Sequence, residues 1–169
     1  LWEDTLDDGY PGYEHGIWAG HLHGNMGSLQ ALLSLAVASN DNRLKQIVRE
    51  GYEHARRYGL IRLGWMPSWI APERFGRPAS AATENEGCGI ADTLILAVQL
   101  ADAGLGDYWD DVEYIVRNHL IELQMVDLDA MQQASSGGTA YDPILKQFIG
   151  GFTQAVLTAN LNSAIYGCC

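Results

Sequence analysis

The chain has 169 residues, 47% of them apolar, and a formal net charge of −11. That length and apolar content suit one domain with its own core and exclude a disordered tail. The scattered acidic charge excludes a nucleic-acid binder, whose ligand demands a basic patch, and suits a neutral or basic small molecule or a neutral glycan. No apolar run reaches transmembrane length, so no membrane partner is expected. The opening Leu1-Trp2-Glu3-Asp4 has neither a methionine nor the basic-then-apolar order of a signal peptide, and reads as the interior of a longer chain. Three cysteines leave one unpaired, which favours reduced or metal-bound thiols, and a cytoplasmic setting, over a secreted disulfide framework.

Residues 24–38 are apolar almost all round, the pattern of a helix buried on most faces. Asn40 and Asp41 supply N-cap chemistry for a second helix to about Tyr58, with Leu44, Ile47, Val48, Tyr52 and Ala55 on one stripe and Gly59 as its C′ residue. Residues 61–85, rich in Trp, Pro and Gly, have no periodicity and read as a long functional loop. A third helix is predicted over 89–103, with Ile90, Leu94, Ala97, Val98 and Ala101 inward, stopped by Gly104-Leu105-Gly106. A fourth follows at once. Asp107, Asp110, Asp111 and Glu113 begin it and Arg117 and His119 lie late in it, as the helix dipole favours, with Trp109, Val112, Val116, Leu120 and Leu123 as its apolar stripe. Periodicity is lost around residues 135–138, and a last weak helical pattern covers 144–159. Short-turn helical hairpins around one long loop are the unit of an all-α architecture, either an α/α barrel or a helical repeat array, with an isolated bundle as the plainer alternative.

The chemistry-bearing residues each carry two readings. Cys168 and Cys169 are adjacent, a poor disulfide geometry, and with Cys88 and Glu86 they could complete a tetrahedral, sulfur-rich zinc set; the alternative is three unrelated thiols. Glu86 also closes a capping box, Thr83-Glu84-Asn85-Glu86, and joint ligation with Cys88 requires irregular backbone there, with the helix proper starting near Gly89. Glu73, with Arg74 and Arg77 close by in the loop, is either a solvated ion pair or an acid whose pKa is raised by Trp65, Trp69 and Phe75. His21 and His23 alternate along an extended stretch and could bind metal, accept a sugar hydroxyl or cap the next helix. His54 and His119 read as surface or satisfied core histidines. Trp2, Trp18, Trp65, Trp69, Tyr10 and Tyr13 are the stacking residues a sugar cleft requires, and are equally at home in a core.

The order of His23-Gly24-Asn25 before a buried helix, Glu73-Arg74-Phe75-Gly76 in a loop, Glu86-Gly87-Cys88 opening a helix, Asn118-His119-Leu120 late in the next, and a terminal Cys-Cys resembles the β-L-arabinofuranosidase family of glycoside hydrolases, family 127, over about residues 20–169. The resemblance implies an (α/α)6 barrel and a zinc held by Glu86, Cys88, Cys168 and Cys169. It further implies Cys168 as nucleophile, Glu73 as general acid/base and a sugar contact from His23; His21 and Trp65 are expected as substrate-binding residues by residue type. The family's His-Ala-Asn-Thr-Gln is here His23-Gly24-Asn25-Met26-Gly27, and one chain of this length supplies about half of such a barrel, so a fragment is expected. The implied activity is retaining hydrolysis of a terminal furanoside. A non-catalytic helical domain with a structural zinc is the alternative from another class. A uronic-acid lyase, also hosted by α/α barrels, would want more basic residues than the 10 Lys and Arg present.

Overall fold

The computed structural model describes residues 16–71, 85–129 and 146–152. The expected all-α character holds there. Its elements are β1 (Gly20–His21), α1 (Leu22–Ala38), α2 (Asn42–Arg56), β2 (Trp69–Ile70), α3 (Gly87–Asp102) and α4 (Trp109–Asn118), with short 3-10 turns at Ile61–Leu63, Leu120–Leu123 and Lys146–Phe148. The only sheet among the described residues is the antiparallel β1–β2 pair, in which Gly20 faces Ile70 and His21 faces Trp69. No described helix is long and apolar enough to cross a membrane.

Both hairpin turns follow from local chemistry. At the end of α1, Asn40 takes a left-handed conformation (φ 52°), and the Asp41 and Asn40 amides donate to the Ala36 and Val37 carbonyls, which closes a Schellman motif. Asp41 then caps α2, its Oδ1 accepting from the amides of Arg43 at 2.9 Å and Leu44 at 3.1 Å. Gly104 (φ 69°) repeats the device after α3, where Leu105 donates to the Leu100 carbonyl and Gly104 to that of Ala101. Gly59 differs from its expected part: α2 ends at Arg56, Gly59 is not left-handed, and a Cβ there would lie 2.2 Å from Met66 Sδ. Gly59 is therefore required by close packing and not by a helix stop.

One core joins the elements. Leu22, Met26, Leu29 and Leu33 of α1 meet Val48, Tyr52 and Ala55 of α2, Ile90, Leu96, Ala97 and Leu100 of α3, and Tyr108 and Ile115 around α4, with Trp18, Met66 and Ile70 from the connections. Val48, Tyr52 and Ala55 of the α2 stripe are thus buried as expected, while Leu44 and Ile47 are only half-buried. The stripes of α1, α3 and α4 are shifted. On α1 only one side is covered, and Leu35 and Val37 are exposed despite the apolar sequence. On α3, Thr93, Leu96 and Leu100 take the innermost positions beside Ile90 and Ala97, and Leu94 only packs at the edge. On α4, Trp109 and Val116 are exposed while Asp111 and Ile115 are buried. The helix also stops at Asn118, before the expected Leu120 and Leu123, because His119 leaves helical geometry (φ −136°, ψ −57°). Over 146–152, the part of the expected last helix that is described, the chain forms a 3-10 turn, a left-handed Gly150 and a bridge from Phe152 to Gln124.

Asp111 is inward because it has partners. Its Oδ2 accepts from Tyr52 Oη at 2.9 Å and lies 2.7 Å from Arg56 Nε, while its Oδ1 accepts from Arg56 Nη2 at 2.8 Å. Arg56 also donates to Glu53 at 3.0 Å, and Tyr108 Oη donates to Glu53 at 2.8 Å. Burial alone would lower the Arg56 pKa, but its hydrogen bonds to Asp111 and Glu53 outweigh that and raise it. Burial, then the charge of Asp111, raises that of Tyr52, and burial with the Glu53 hydrogen bond pushes Tyr108 up to about 12. Replacing Asp111 with Ala leaves the buried Tyr52 hydroxyl without its acceptor and the half-buried Arg56 guanidinium with Glu53 alone, and is expected to cost about 3 kcal/mol in urea unfolding. Arg117→Ala, which breaks an exposed i,i+4 pair with Glu113, should cost under about 0.5 kcal/mol in the same assay. Equal losses would show that the buried network does not tie α2 to α4.

Candidate functional site

The site lies where α1 and α3 begin. β1 leads into α1, and the Leu22 amide donates to the Ser68 carbonyl at 2.8 Å, so β1 and the first residue of α1 are held against the strand carrying Trp69. Gly89 lets α3 approach α1 closely: a Cβ there would sit 3.0 Å from Leu22 Cδ2. The two helices start side by side and run the same way, with Glu86 level with His21 and Asp92 opposite the stretch between His23 and Gln30. Two helix N-termini thus converge on one patch, an environment that favours negative charge.

Glu86 is the N-cap of α3 by backbone (φ −120°, ψ 134°), but its side chain makes no cap hydrogen bond. The capping-box role is therefore not the one its carboxylate plays. Instead His21 Nε2 meets Glu86 Oε2 at 2.5 Å, and Cys88 Sγ lies 3.9 Å from the same oxygen. The helix begins at Gly87, two residues before the expected start near Gly89, and the extended Glu86 backbone still brings the two side chains together. His21 is likewise the backbone N-cap of α1 without capping it through its ring. Because α1 starts at Leu22, His23 is helical and not extended; its ring still lies 5.9 Å from that of His21. His23 Nδ1 donates to Asp92 Oδ2, and Gln30 Nε2 donates to Asp92 Oδ1 at 3.3 Å and to its carbonyl at 3.1 Å.

Trp69, half exposed, stacks on His21 with ring centroids 6.1 Å apart and planes at 27°. Trp65, the substrate-binding expectation, is half-buried with its backbone paired to Leu60, so the aromatic ring against the histidines is that of Trp69. Trp18 is a core residue, donating from Nε1 to the Gly51 carbonyl at 3.0 Å. Glu73, Cys168, Cys169, Trp2, Tyr10, Tyr13, Phe75, Thr83 and Glu84 lie outside the described residues. Among the described residues no three His, Cys, Asp or Glu side chains are grouped to hold a metal. Oxygen and sulfur ligands at about 2.1 and 2.3 Å on a tetrahedral centre stand about 3.6 Å apart, close to the 3.9 Å found between Glu86 and Cys88.

Asp92 and Gln30 belong to no motif of the sequence, and Asn25 and Asn85 stand there only as neighbours of His23 and Glu86. Asp92 lies one turn after Cys88 and Gln30 two turns after His23, so helical spacing was their only signal. Asn25 donates to the His21 carbonyl at 2.8 Å. Asn85, fully buried beside Glu86, donates from Nδ2 to His119 Nε2 where α4 breaks. His54, buried, donates from Nε2 to the Trp18 carbonyl at 2.7 Å.

Burial lowers the pKa of His119, and burial, partly offset by the Trp18 hydrogen bond, lowers that of His54. Unfolded histidine takes up its proton near pH 6.5, whereas these two stay neutral in the native state to lower pH. Their contribution is complete above about pH 6.5 and is lost as pH falls towards their native pKa values. Urea midpoints should therefore fall between about pH 8 and pH 5, and His54→Gln with His119→Gln should flatten that fall. A fall equally steep in the double variant would refute the assignment. In comparisons with protein-family models, curated proteins and solved structures, nothing matches the chain.

Proposed function

We propose that the chain is part of the catalytic domain of a retaining glycoside hydrolase acting on a terminal furanoside of the β-L-arabinofuranoside type. The observation that carries this reading is the meeting of the Glu86 carboxylate and the Cys88 sulfur beside His21, His23 and an exposed Trp ring. A carboxylate and a thiol two residues apart do not meet by helical geometry, so the extended backbone at Glu86 is needed for it. An indole stacked on a histidine offers the flat apolar surface that a sugar ring covers, next to hydrogen-bonding groups for its hydroxyls.

In this reading Glu86, Cys88, Cys168 and Cys169 hold zinc, and His21 orients Glu86 from outside the ligand set, as partners of ligating carboxylates commonly do. Bound zinc would keep the Cys168 thiol deprotonated. Cys168 attacks the anomeric carbon, forming a carbon–sulfur bond as the glycosidic carbon–oxygen bond breaks, and Glu73 gives its proton to the leaving oxygen. Glu73 then takes a proton from water, whose oxygen displaces the sulfur. His23 contacts a sugar hydroxyl.

The helix arrangement supports a partial (α/α)6 barrel. α1 and α3 are mostly apolar, lie side by side and run parallel, as inner helices of such a barrel must, while α2 and α4 carry charged outer faces. The side of α1 left open carries Gly24, Ser28, Ala31 and Leu35, small or apolar residues that further hairpins would cover.

Full-length protein is expected to carry one zinc, measured by elemental analysis, and Cys88→Ser or Glu86→Ala should lose most of it. Cys168→Ser should abolish turnover of an aryl β-L-arabinofuranoside. Glu73→Gln should impair natural substrates more than the activated aryl glycoside, whose leaving group needs less protonation. Unchanged turnover in Cys168→Ser would exclude the cysteine mechanism, and zinc without turnover in the wild type would leave the metal in a structural role.

A further inference from the structure

We propose that His119 is a pH-sensitive latch: its neutral ring accepts a hydrogen bond from Asn85 and so holds the turn that presents Glu86 to His21, and protonation of the ring releases that turn. The latch acts on the placing of Glu86 and holds whichever ligand the site takes.

Asn85 is 2% exposed and lies in irregular backbone just before α3, so its amide has no water to turn to when its partner is lost. Its Nδ2 donates to His119 Nε2, which can accept only while that nitrogen carries no proton. The next residue, Glu86, keeps an extended backbone and sends its carboxylate to His21 Nε2 at 2.5 Å. On its other side His119 is braced. A Cβ on Gly64 would lie 3.0 Å from His119 Cβ, and Asn118 ties the same end of α4 to the Arg62 carbonyl at 2.8 Å. An imidazolium presents a donor to the Asn85 donor, so the part that gives way is the entrance to α3.

The charged or titratable groups on the elements that meet at His119 are Arg62 on the 61–63 turn, Glu113 and Arg117 on α4, Glu122 on the turn after it, and Glu86 and Cys88 at the start of α3. None of them moves its titration, and burial alone lowers the His119 pKa. The latched ring therefore takes up its proton at lower pH than a released one, which does so near pH 6.5. The latch is closed above about pH 6.5 and opens as pH falls towards the native pKa, by up to about tenfold for each pH unit. Turning the Asn85 amide over would instead give the imidazolium an acceptor, raise the His119 pKa and leave Glu86 in place.

The test is hydrogen exchange of the full-length protein between about pH 8 and pH 5, corrected for the intrinsic pH dependence of exchange and read by mass spectrometry. Peptides over 86–92 include the Ile90 amide, which donates to the Glu86 carbonyl at 3.0 Å. They should lose protection below about pH 6.5, by up to about tenfold per pH unit, while peptides over 100–106, at the Gly104 turn, keep theirs. Exchange of the histidine C2 hydrogen in the same samples should place the His119 pKa below about 6.5. His119→Gln offers Asn85 an acceptor that does not titrate, so protection over 86–92 should become independent of pH. Unchanging protection over 86–92 in the wild type overturns the latch even if the variant does not fold, and so does a raised His119 pKa. A loss that reaches 100–106 equally is global unfolding and overturns it as well. A fall that persists in folded His119→Gln overturns it in favour of His21, the other titrating group on Glu86.

Discussion

Asp111 is the point on which the two helical hairpins depend. It is a carboxylate at 3% exposure on a helix whose nearby Asp110 and Glu113 are solvated, and it is there because Tyr52 and Arg56 of α2 meet it with three polar atoms. A buried charge of this kind adds little to stability over a well-packed apolar group, but it is intolerant of mispairing. It therefore acts on register: α4 can rotate or slide against α2 only by leaving a charge without partners. That constraint explains why Ile115 faces inward while Trp109 and Val116 do not.

With α4 fixed, its end is fixed too. The chain leaves helical geometry at His119, which sits against the Gly64 turn, where a Cβ would lie 2.6 Å from the Tyr114 carbonyl, and against Asn85 at the entrance to α3. Asn118 reinforces the same junction by donating to the Arg62 carbonyl at 2.8 Å. Asn85 precedes Glu86, so the packing that stops α4 also places the first residue of the candidate site. The site is thus supported from below by buried polar contacts and is open above, where His21, His23 and Trp69 are partly exposed.

The helix types divide in the same way. α2 and α4 keep a charged side to solvent, whereas α1 and α3 are apolar on faces that nothing among the described residues covers. The most apolar pair is also the pair whose N-termini hold the carboxylates and histidines. Apolar walls raise the strength of polar contacts between them by lowering the local dielectric, which suits a site built from short His–carboxylate pairs.

Much of this was legible in the residues alone. The hairpin turns were, because Asp41 and Gly104 act through local hydrogen bonds and backbone freedom that need no tertiary partner. The existence of the helices and the inward stripe of α2 were too, since that stripe alternates with charge. The inward faces of α1, α3 and α4 were not: α1 and α3 are apolar almost all round and offer periodicity no contrast, and on α4 a buried ion pair overrode the apolar pattern. In the site, Glu86, Cys88, His21 and His23 could be picked out by residue type and spacing. That Glu86 turns to His21 and not to its own helix, that Trp69 and not Trp65 stacks there, and that Asp92 and Gln30 complete the His23 contact were decided by the tertiary structure alone. The Glu86 and Asp92 contacts depend on α3 lying beside α1, residues more than sixty positions apart, and the Trp69 stacking on β2 pairing with β1; no local interaction encodes either pairing.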